Sequence, residues 1–236
     1  MSPYLAEIVG TAFLIVLGDG VVANVILNKS KGSQSGWIVI TMGWAMAVFV
    51  GVYSAGKYSG AHLNPAVTFA QALLGKFPWG KVPGYLAAQM AGAMLGAVLG
   101  WLCYKKHFDE TTDATTKLAV FCTMPAIRNG KYNFLTEFIA TMVFILAICY
   151  ITGPTAGIGS LDALPVAFVV LAIGLSLGGS TGYAINPARD LGPRLVHFLL
   201  PIAGKRDSDW GYAWVPIVGP LAGAAAAAFI FRYFLQ

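Results

Sequence analysis

Charge is scarce in this sequence. Of 236 residues only 11% are charged, whereas 57% are hydrophobic, and the mean hydropathy is +0.70. A soluble domain carries about 25% charged residues, so a soluble all-helical protein is excluded. A basic helix or an aromatic-interleaved basic patch is also lacking. The net charge of +5 comes from residues scattered over loops, which excludes nucleic acid as a partner. Cysteine is rare, and Cys103, Cys122 and Cys149 show no metal-ligand spacing. Cys103 and Cys149 lie in apolar runs and read as packing residues. Neither a metal nor a cofactor is expected, and no enzymatic constellation of side chains occurs. The N-terminus has no basic region followed by a small-residue cleavage site, so Tyr4 onward reads as a mature membrane span.

What the sequence has is long apolar runs. Six are expected to cross a membrane: about Pro3 to Leu27, Gly36 to Gly56, Val82 to Tyr104, Tyr132 to Ile151, Ala163 to Leu177 and Trp210 to Phe231. A polar segment, 105–131, reads as the longest loop. Two apolar pieces remain, each opening on Asn-Pro-Ala: Asn64-Pro65-Ala66, running to about Leu74, and Asn186-Pro187-Ala188, running to about Leu200. As helices they would cover about 16 Å and about 22 Å, short of a 30 Å hydrocarbon core.

The two halves resemble each other. The asparagines lie 122 positions apart, and "AEIVGTAFLIV" (Ala6 to Val16) matches "TEFIATMVFIL" (Thr136 to Leu146), with Glu7 against Glu137. "MAGAMLGAV" (Met90 to Val98) loosely matches "PLAGAAAAA" (Pro220 to Ala228). Each half is then span, span, broken short helix, span. Three crossings is an odd number, so the second copy enters from the opposite side, and the halves 1–104 and 132–236 form an inverted repeat within one channel domain.

Asparagine is a preferred N-cap, and proline suits the first helical position, where its missing N–H costs nothing. Asn-Pro-Ala therefore starts a helix. The residues before it, Gly60 to Leu63 and Gly182 to Ile185, should be extended. Irregular backbone at membrane depth is tolerated where it lines a wet cavity or is buried in protein. Two half-helices entering from opposite faces would meet near the midplane with their positive dipole ends converging. The two asparagines would face each other across one lumen and offer N–H groups to it. Carbonyls of Gly60, Ala61, His62, Leu63, Gly182, Ala184 and Ile185 would form a ladder of acceptors. Such a pore hydrogen-bonds neutral polar molecules and repels cations, protons included.

With these residues in place, the sequence resembles the major intrinsic protein family, the aquaporins and glycerol facilitators. The resemblance covers essentially the whole chain and rests on the spans, "SGAHLNPAV", "NPARD" and the paired Glu7 and Glu137. It implies an all-α right-handed bundle of six transmembrane helices and two re-entrant half-helices. It also implies a pore in every subunit, a homotetramer in the lipid bilayer and cytoplasmic termini. A multi-pass protein of a bacterial plasma membrane follows. Lys57, Lys76, Lys81 and Arg232 would then lie inside, against Lys29, Lys31, the long loop, Lys205 and Arg206 outside, a distribution that by itself favours the opposite orientation.

The family's spacing places a selectivity filter at Trp44, Gly174, Tyr183 and Arg189. Glycine at 174 leaves room that Tyr183 fills. Two aromatic faces make an apolar corner, and Arg189 opposes it with fixed N–H donors. A polyol has one carbon-rich edge and one hydroxyl edge and matches this site. Asp190, Arg194 and Pro216-Ile217 also resemble the glycerol-conducting branch, which often carries phenylalanine where Tyr183 stands; the phenolic hydroxyl is expected to make the filter more polar. Glu7, Glu137 and Asp190 are implied to support the re-entrant segments. His62 is expected to line the inner vestibule through its carbonyl. His107 and His197 are expected at the surface, and Asp19 near the outer end, facing a neighbouring subunit or solvent. The function implied is passive conduction of glycerol and other small uncharged solutes, with water: dihydroxyacetone, urea or protonated lactic acid are candidates. A proton-coupled secondary transporter remains the alternative, since inverted repeats with broken helices and membrane carboxylates suit it as well.

Overall fold

The computed structural model describes residues 1–151 and 159–235. Residues 152–158 and 236, which belong to the expected second repeat, lie outside the described residues. Every regular element among the described residues is helical. The helices are α1 (Pro3–Ile26), α2 (Trp37–Ser59), α3 (Pro65–Leu73), α4 (Val82–Glu110), α5 (Ala114–Phe121), α6 (Gly130–Tyr150), α7 (Leu164–Ser176), α8 (Pro187–Leu199) and α9 (Val215–Ile230). Six of them (α1, α3, α4, α7, α8 and α9) carry proline in the first two positions, where the ring replaces an N–H that has no intrahelical acceptor.

Five helical stretches are long and apolar enough to cross a membrane: Pro3–Ile26, Trp37–Ser59, Trp79–Glu110, Gly130–Tyr150 and Val215–Leu235. The sixth expected span is the shorter apolar stretch Leu161–Ser176, whose N-terminal side adjoins residues outside the described set. Large apolar side chains such as Phe13, Leu99, Ile139, Phe168 and Phe229 are exposed on these helices, which is the pattern of a lipid-facing surface.

Packing follows small residues. α1 packs closely along α4, and α6 along α9. A Cβ added at Gly92 or Gly96 would press on the α1 backbone, and one at Gly223 on the α6 backbone, so glycine sets these close approaches. α2 packs on α7, and each short helix crosses to the other half, α3 to α9 and α8 to α4.

The segment 105–131 differs from the loop expected. α4 continues to Glu110, and α5 lies within the segment, N-capped by Asp113, which accepts from Thr116 N at 2.7 Å. The apolar run ends at the bilayer, but a helix needs no apolar sequence beyond it; Lys105 and Asp109 form an i,i+4 pair on this extension. His107 therefore sits in the last turn of α4, half-buried, with Nδ1 3.1 Å from the Asn28 carbonyl oxygen. α5 packs on α1 and α8 and buries Leu118 and Phe121. His197 consequently is not at the surface. It is fully buried, its ring 5.4 Å from that of Phe121 and its Nδ1 2.8 Å from Ser208 Oγ.

Candidate pore and constriction

Asn64 and Asn186 cap α3 and α8. Asn64 Oδ1 accepts from Ala66 N at 2.8 Å, and Asn186 Oδ1 accepts from Ala188 N at 3.0 Å and Arg189 N at 3.3 Å. The caps hold both amides fixed, because their oxygens are committed to the helix N-termini. Their nitrogens cross to the other half. Asn64 Nδ2 donates to the Ile185 carbonyl at 2.9 Å, and Asn186 Nδ2 donates to the Leu63 carbonyl at 2.8 Å. The asparagines thus lie together on one cavity of about 200 Å³, and one N–H of each braces the opposite segment. An amide nitrogen has two N–H groups, which leaves one per asparagine for the cavity.

The residues before each cap are not simply extended. Gly60, Ala61 and Leu63 have φ of 80°, 49° and 51°; Gly182, Tyr183 and Ile185, each 122 positions later, have 83°, 38° and 43°. Left-handed backbone costs a non-glycine residue about 1–2 kcal/mol. What holds it are two buried carboxylates. Glu7 accepts from His62 N at 3.0 Å and Leu63 N at 2.7 Å, and Glu137 from Ala184 N at 2.9 Å and Ile185 N at 3.0 Å. Ser59 Oγ also donates to Glu7, and Thr181 Oγ1 to Glu137.

Sequence reasoning missed the next layer. Gln89, fully buried in α4, donates from Nε2 to Glu7 at 2.8 Å and to Thr68 Oγ1 at 2.9 Å. Tyr85 donates to the Ser59 carbonyl at 2.9 Å. The position aligned with Gln89 in the second half is Gly219, against whose Cα face the Glu137 Cβ packs, so the repeat pattern gave no signal for an amide. His62 contributes more than a carbonyl: its Nδ1 is 3.0 Å from Thr68 Oγ1, and its ring lies against Phe77 and Tyr85, with centroids 4.8 and 5.1 Å apart.

Among the expected lining residues, Gly60, Ala61, Leu63, Ala184 and Ile185 border the cavity with His62. Gly182 does not; it is turned against Thr123, and its N–H donates to the Gly178 carbonyl. Pro65, Ala66, Pro187 and Ala188 start the half-helices and are buried.

Trp44, Tyr183 and Arg189 also border the cavity. The Arg189 guanidinium lies over the Trp44 ring, 4.0 Å from its centroid. Gly174 does not border the cavity; it lies behind Tyr183. A Cβ there would sit 2.9 Å from Tyr183 Cζ and 3.0 Å from Thr41 Cγ2. Trp37, a residue the sequence did not single out, fixes this corner: its Nε1 donates to the Gly174 carbonyl at 3.0 Å and its ring meets Tyr183 edge to face at 5.9 Å.

The Tyr183 hydroxyl corrects an expectation. It is shielded from solvent and has no hydrogen-bond partner among the described residues, so it does not make the cavity more polar. An unsatisfied buried hydroxyl costs about 1–3 kcal/mol. Tyr183→Phe should therefore raise thermal stability in detergent, by about 1 kcal/mol, and leave the glycerol-to-water permeability ratio unchanged. A drop in stability with altered selectivity would show that the hydroxyl reaches the lumen.

Asp190 supports a different segment from the one expected. Its carboxylate accepts from Thr123 N (2.8 Å) and Oγ1 (2.7 Å), beyond α5, and from Arg194 Nε (2.8 Å) and Nη2 (3.0 Å). Arg194 donates onward to the carbonyls of Ser208, Asp209 and Thr123. The C-terminal end of α8 is closed by Lys205, whose Nζ donates to the carbonyls of His197, Phe198 and Leu200.

Two asparagine-capped half-helices meeting on one cavity agree with a family match. The model of the major intrinsic protein family matches residues 1–231. The chain belongs to the major intrinsic protein family. It is 58% identical to a probable glycerol uptake facilitator protein of Thermotoga maritima, covering 99% of each chain. It is 52% identical to the glycerol uptake facilitator protein of Bacillus subtilis, covering 95% of this chain and 82% of that one. It is 40% identical to a D/L-lactic acid transporter of Lactiplantibacillus plantarum, over 98% and 96%. Among solved structures, the aquaglyceroporin of Plasmodium falciparum superposes with a TM-score of 0.86 at 29% identity, covering 98% of this chain and 95% of that one. With its long apolar helices, this member of the major intrinsic protein family is a multi-pass membrane protein.

Proposed function

We propose that this chain is a passive channel for glycerol and other small uncharged solutes, with water passing alongside. The observation that carries the reading is the single cavity on which both asparagine caps, the strained segments and the Trp44–Arg189 pair converge. Free amide N–H groups of Asn64 and Asn186 and the segment carbonyls exchange hydrogen bonds with a passing hydroxyl. Trp44 and Tyr183 receive its carbon edge and Arg189 its oxygens, while Gly174 sets the space that Tyr183 occupies. The positive ends of α3 and α8 oppose cations and protons. The glycerol uptake facilitators among the relatives support a polyol, and the lactic acid transporter supports a small hydroxy acid in its neutral form; dihydroxyacetone and urea have the same uncharged chemistry.

The halves 1–104 and 132–236 act as inverted repeats, a reading supported by the left-handed positions that recur 122 residues apart. The assembly is a homotetramer in a bacterial plasma membrane, with both termini cytoplasmic, because Arg189 then lies on the outer side. A proton-coupled transporter would need carboxylates free to exchange protons; Glu7 and Glu137 are instead occupied by backbone N–H groups. Stopped-flow light scattering on proteoliposomes tests the reading. Glycerol flux should rise linearly with its gradient and ignore a proton gradient. Saturable, gradient-driven uptake would overturn it.

A further inference from the structure

Asp19 is 2% exposed, so it faces neither a neighbouring subunit nor solvent, and it does not border the cavity. Gln71 of α3 does border it. This residue is half-buried, and its side-chain amide makes no hydrogen bond among the described residues. Its backbone, by contrast, is fixed. Lys76 N donates to the Gln71 carbonyl at 2.9 Å and Gly75 N to the Ala72 carbonyl at 3.0 Å, and Gly75 has φ of 72°. These paired bonds close a helix on a left-handed glycine. Asn64, Val67 and Gln71 all border the cavity at spacings of three and four, so they form one face of α3. By helix rise, Gln71 stands about 10 Å along α3 from Asn64.

The cavity is short of hydrogen-bond donors. Val52, Ile148 and Val166 border it and offer no hydrogen bond, and the carbonyls of Gly60 and Ala61 can only accept. Thr68 Oγ1 donates to the Asn64 carbonyl at 3.2 Å, so the hydrogen between Thr68 and His62 Nδ1 sits on the imidazole. In the neutral ring that leaves Nε2 an acceptor. The Tyr183 hydroxyl is shielded. The donors are the free N–H of each asparagine, the stacked pair of Trp44 and Arg189, and Gln71 Nε2. The repeat does not supply the last one twice. Val67 aligns with Arg189 and Gln71 with Pro193, each 122 positions on. Each half-helix therefore carries a cavity-bordering donor beyond its cap, but at different turns: Arg189 follows Asn186 by three residues, and Gln71 follows Asn64 by seven.

We infer that Gln71 is a further specificity-determining residue, a polyol contact whose Nε2 donates to a hydroxyl oxygen while the segment carbonyls accept hydroxyl hydrogens. A hydroxyl is satisfied only when it both gives a hydrogen and receives one. The carbonyls meet the first need alone. A water in file meets the second from the next water, whereas the carbon frame of a polyol keeps other molecules off its oxygens. The Gln71 amide therefore favours polyols and is indifferent to water.

The inference rests on the channel reading, and one set of proteoliposomes separates the two. Glycerol and water permeabilities are compared for wild type, Gln71→Met and Gln71→Glu. Gln71→Met keeps the side-chain length and removes the amide. It should lower glycerol permeability about fivefold, the loss of one neutral hydrogen bond, and leave water permeability unchanged. Gln71→Glu keeps the acceptors and loses the donor, and at neutral pH it should lower glycerol permeability as far as Gln71→Met does. Unchanged glycerol permeability in Gln71→Met overturns the inference. So does a parallel loss of glycerol and water, which marks a distorted pore, and so does wild-type glycerol permeability in Gln71→Glu. If Gln71→Met is not recovered folded, the near-isosteric Gln71→Glu decides alone. Absence of glycerol flux in wild type would instead overturn the channel reading.

Discussion

Gly174→His should cut glycerol permeability at least about tenfold, the rate equivalent of a 1.4 kcal/mol rise in barrier, and cut water permeability less. The new Cβ would lie 2.9 Å from Tyr183 Cζ, 3.1 Å from Tyr183 Oη and 3.0 Å from Thr41 Cγ2, closer than van der Waals contact allows. Tyr183 cannot retreat, because the Trp37 ring stands edge-on behind it. The strain of overpacking, about 1–3 kcal/mol, is relieved only by moving Tyr183 or the imidazole into the cavity. Glycerol is the wider molecule and loses more. Adding Tyr183→Cys should remove the clash and restore water flow, but polyol flow should stay low because the apolar corner is gone. The two changes should therefore be non-additive by about 0.5–3 kcal/mol, as contacting residues are. Liposome permeabilities of the two single variants and the double variant measure this. An unchanged glycerol-to-water ratio in Gly174→His would show that these positions do not shape the constriction.

Asp190→Ala should lower folding stability by about 3–5 kcal/mol, the usual result of leaving one charge of a buried pair alone. Both partners are fully buried, and the carboxylate is the acceptor for two Arg194 nitrogens and for the Thr123 N–H and hydroxyl. Its loss would strand the guanidinium and release the segment between α5 and α6 from α8. The thermal transition in detergent and the yield of monodisperse protein are the measurements. Asp190→Ala combined with Arg194→Leu should be milder than Asp190→Ala alone, because no buried charge is left unpaired. Wild-type stability in Asp190→Ala would mean that the network does not anchor α8.

The half-helices were legible because their starts are local. Asn-Pro-Ala encodes an N-cap and a first turn within three residues, and α3 and α8 begin there. The expected ends, Leu74 and Leu200, are one residue from those observed, Leu73 and Leu199. The spans were legible because lipid imposes apolarity over a fixed length. α5 was not, since a polar helix outside the bilayer carries no such signature, and the burial of His197 was lost with it. The backbone before each cap was read as extended because glycine and pre-proline residues permit that. Its left-handed turns depend on Glu7 and Glu137, which sit more than fifty and forty residues away in the chain.

The sequence by itself determined the doubled caps, the paired glutamates, the membrane setting and the family resemblance, all of which rest on residue type and spacing. Only the tertiary structure decided where the side-chain hydrogens point. It sent one amide N–H of each asparagine to the opposite segment, buried the Tyr183 hydroxyl beside Gly174, and recruited Trp37 and Gln89 as supports. It also placed Asp19 inside the bundle, beside Gly100 of α4, with no hydrogen-bond partner among the described residues. The reason is common to all of these. A hydrogen bond or a buried charge is satisfied by whichever group lies within a few ångströms, and for residues a hundred positions apart that proximity is set by helix packing rather than by any local pattern.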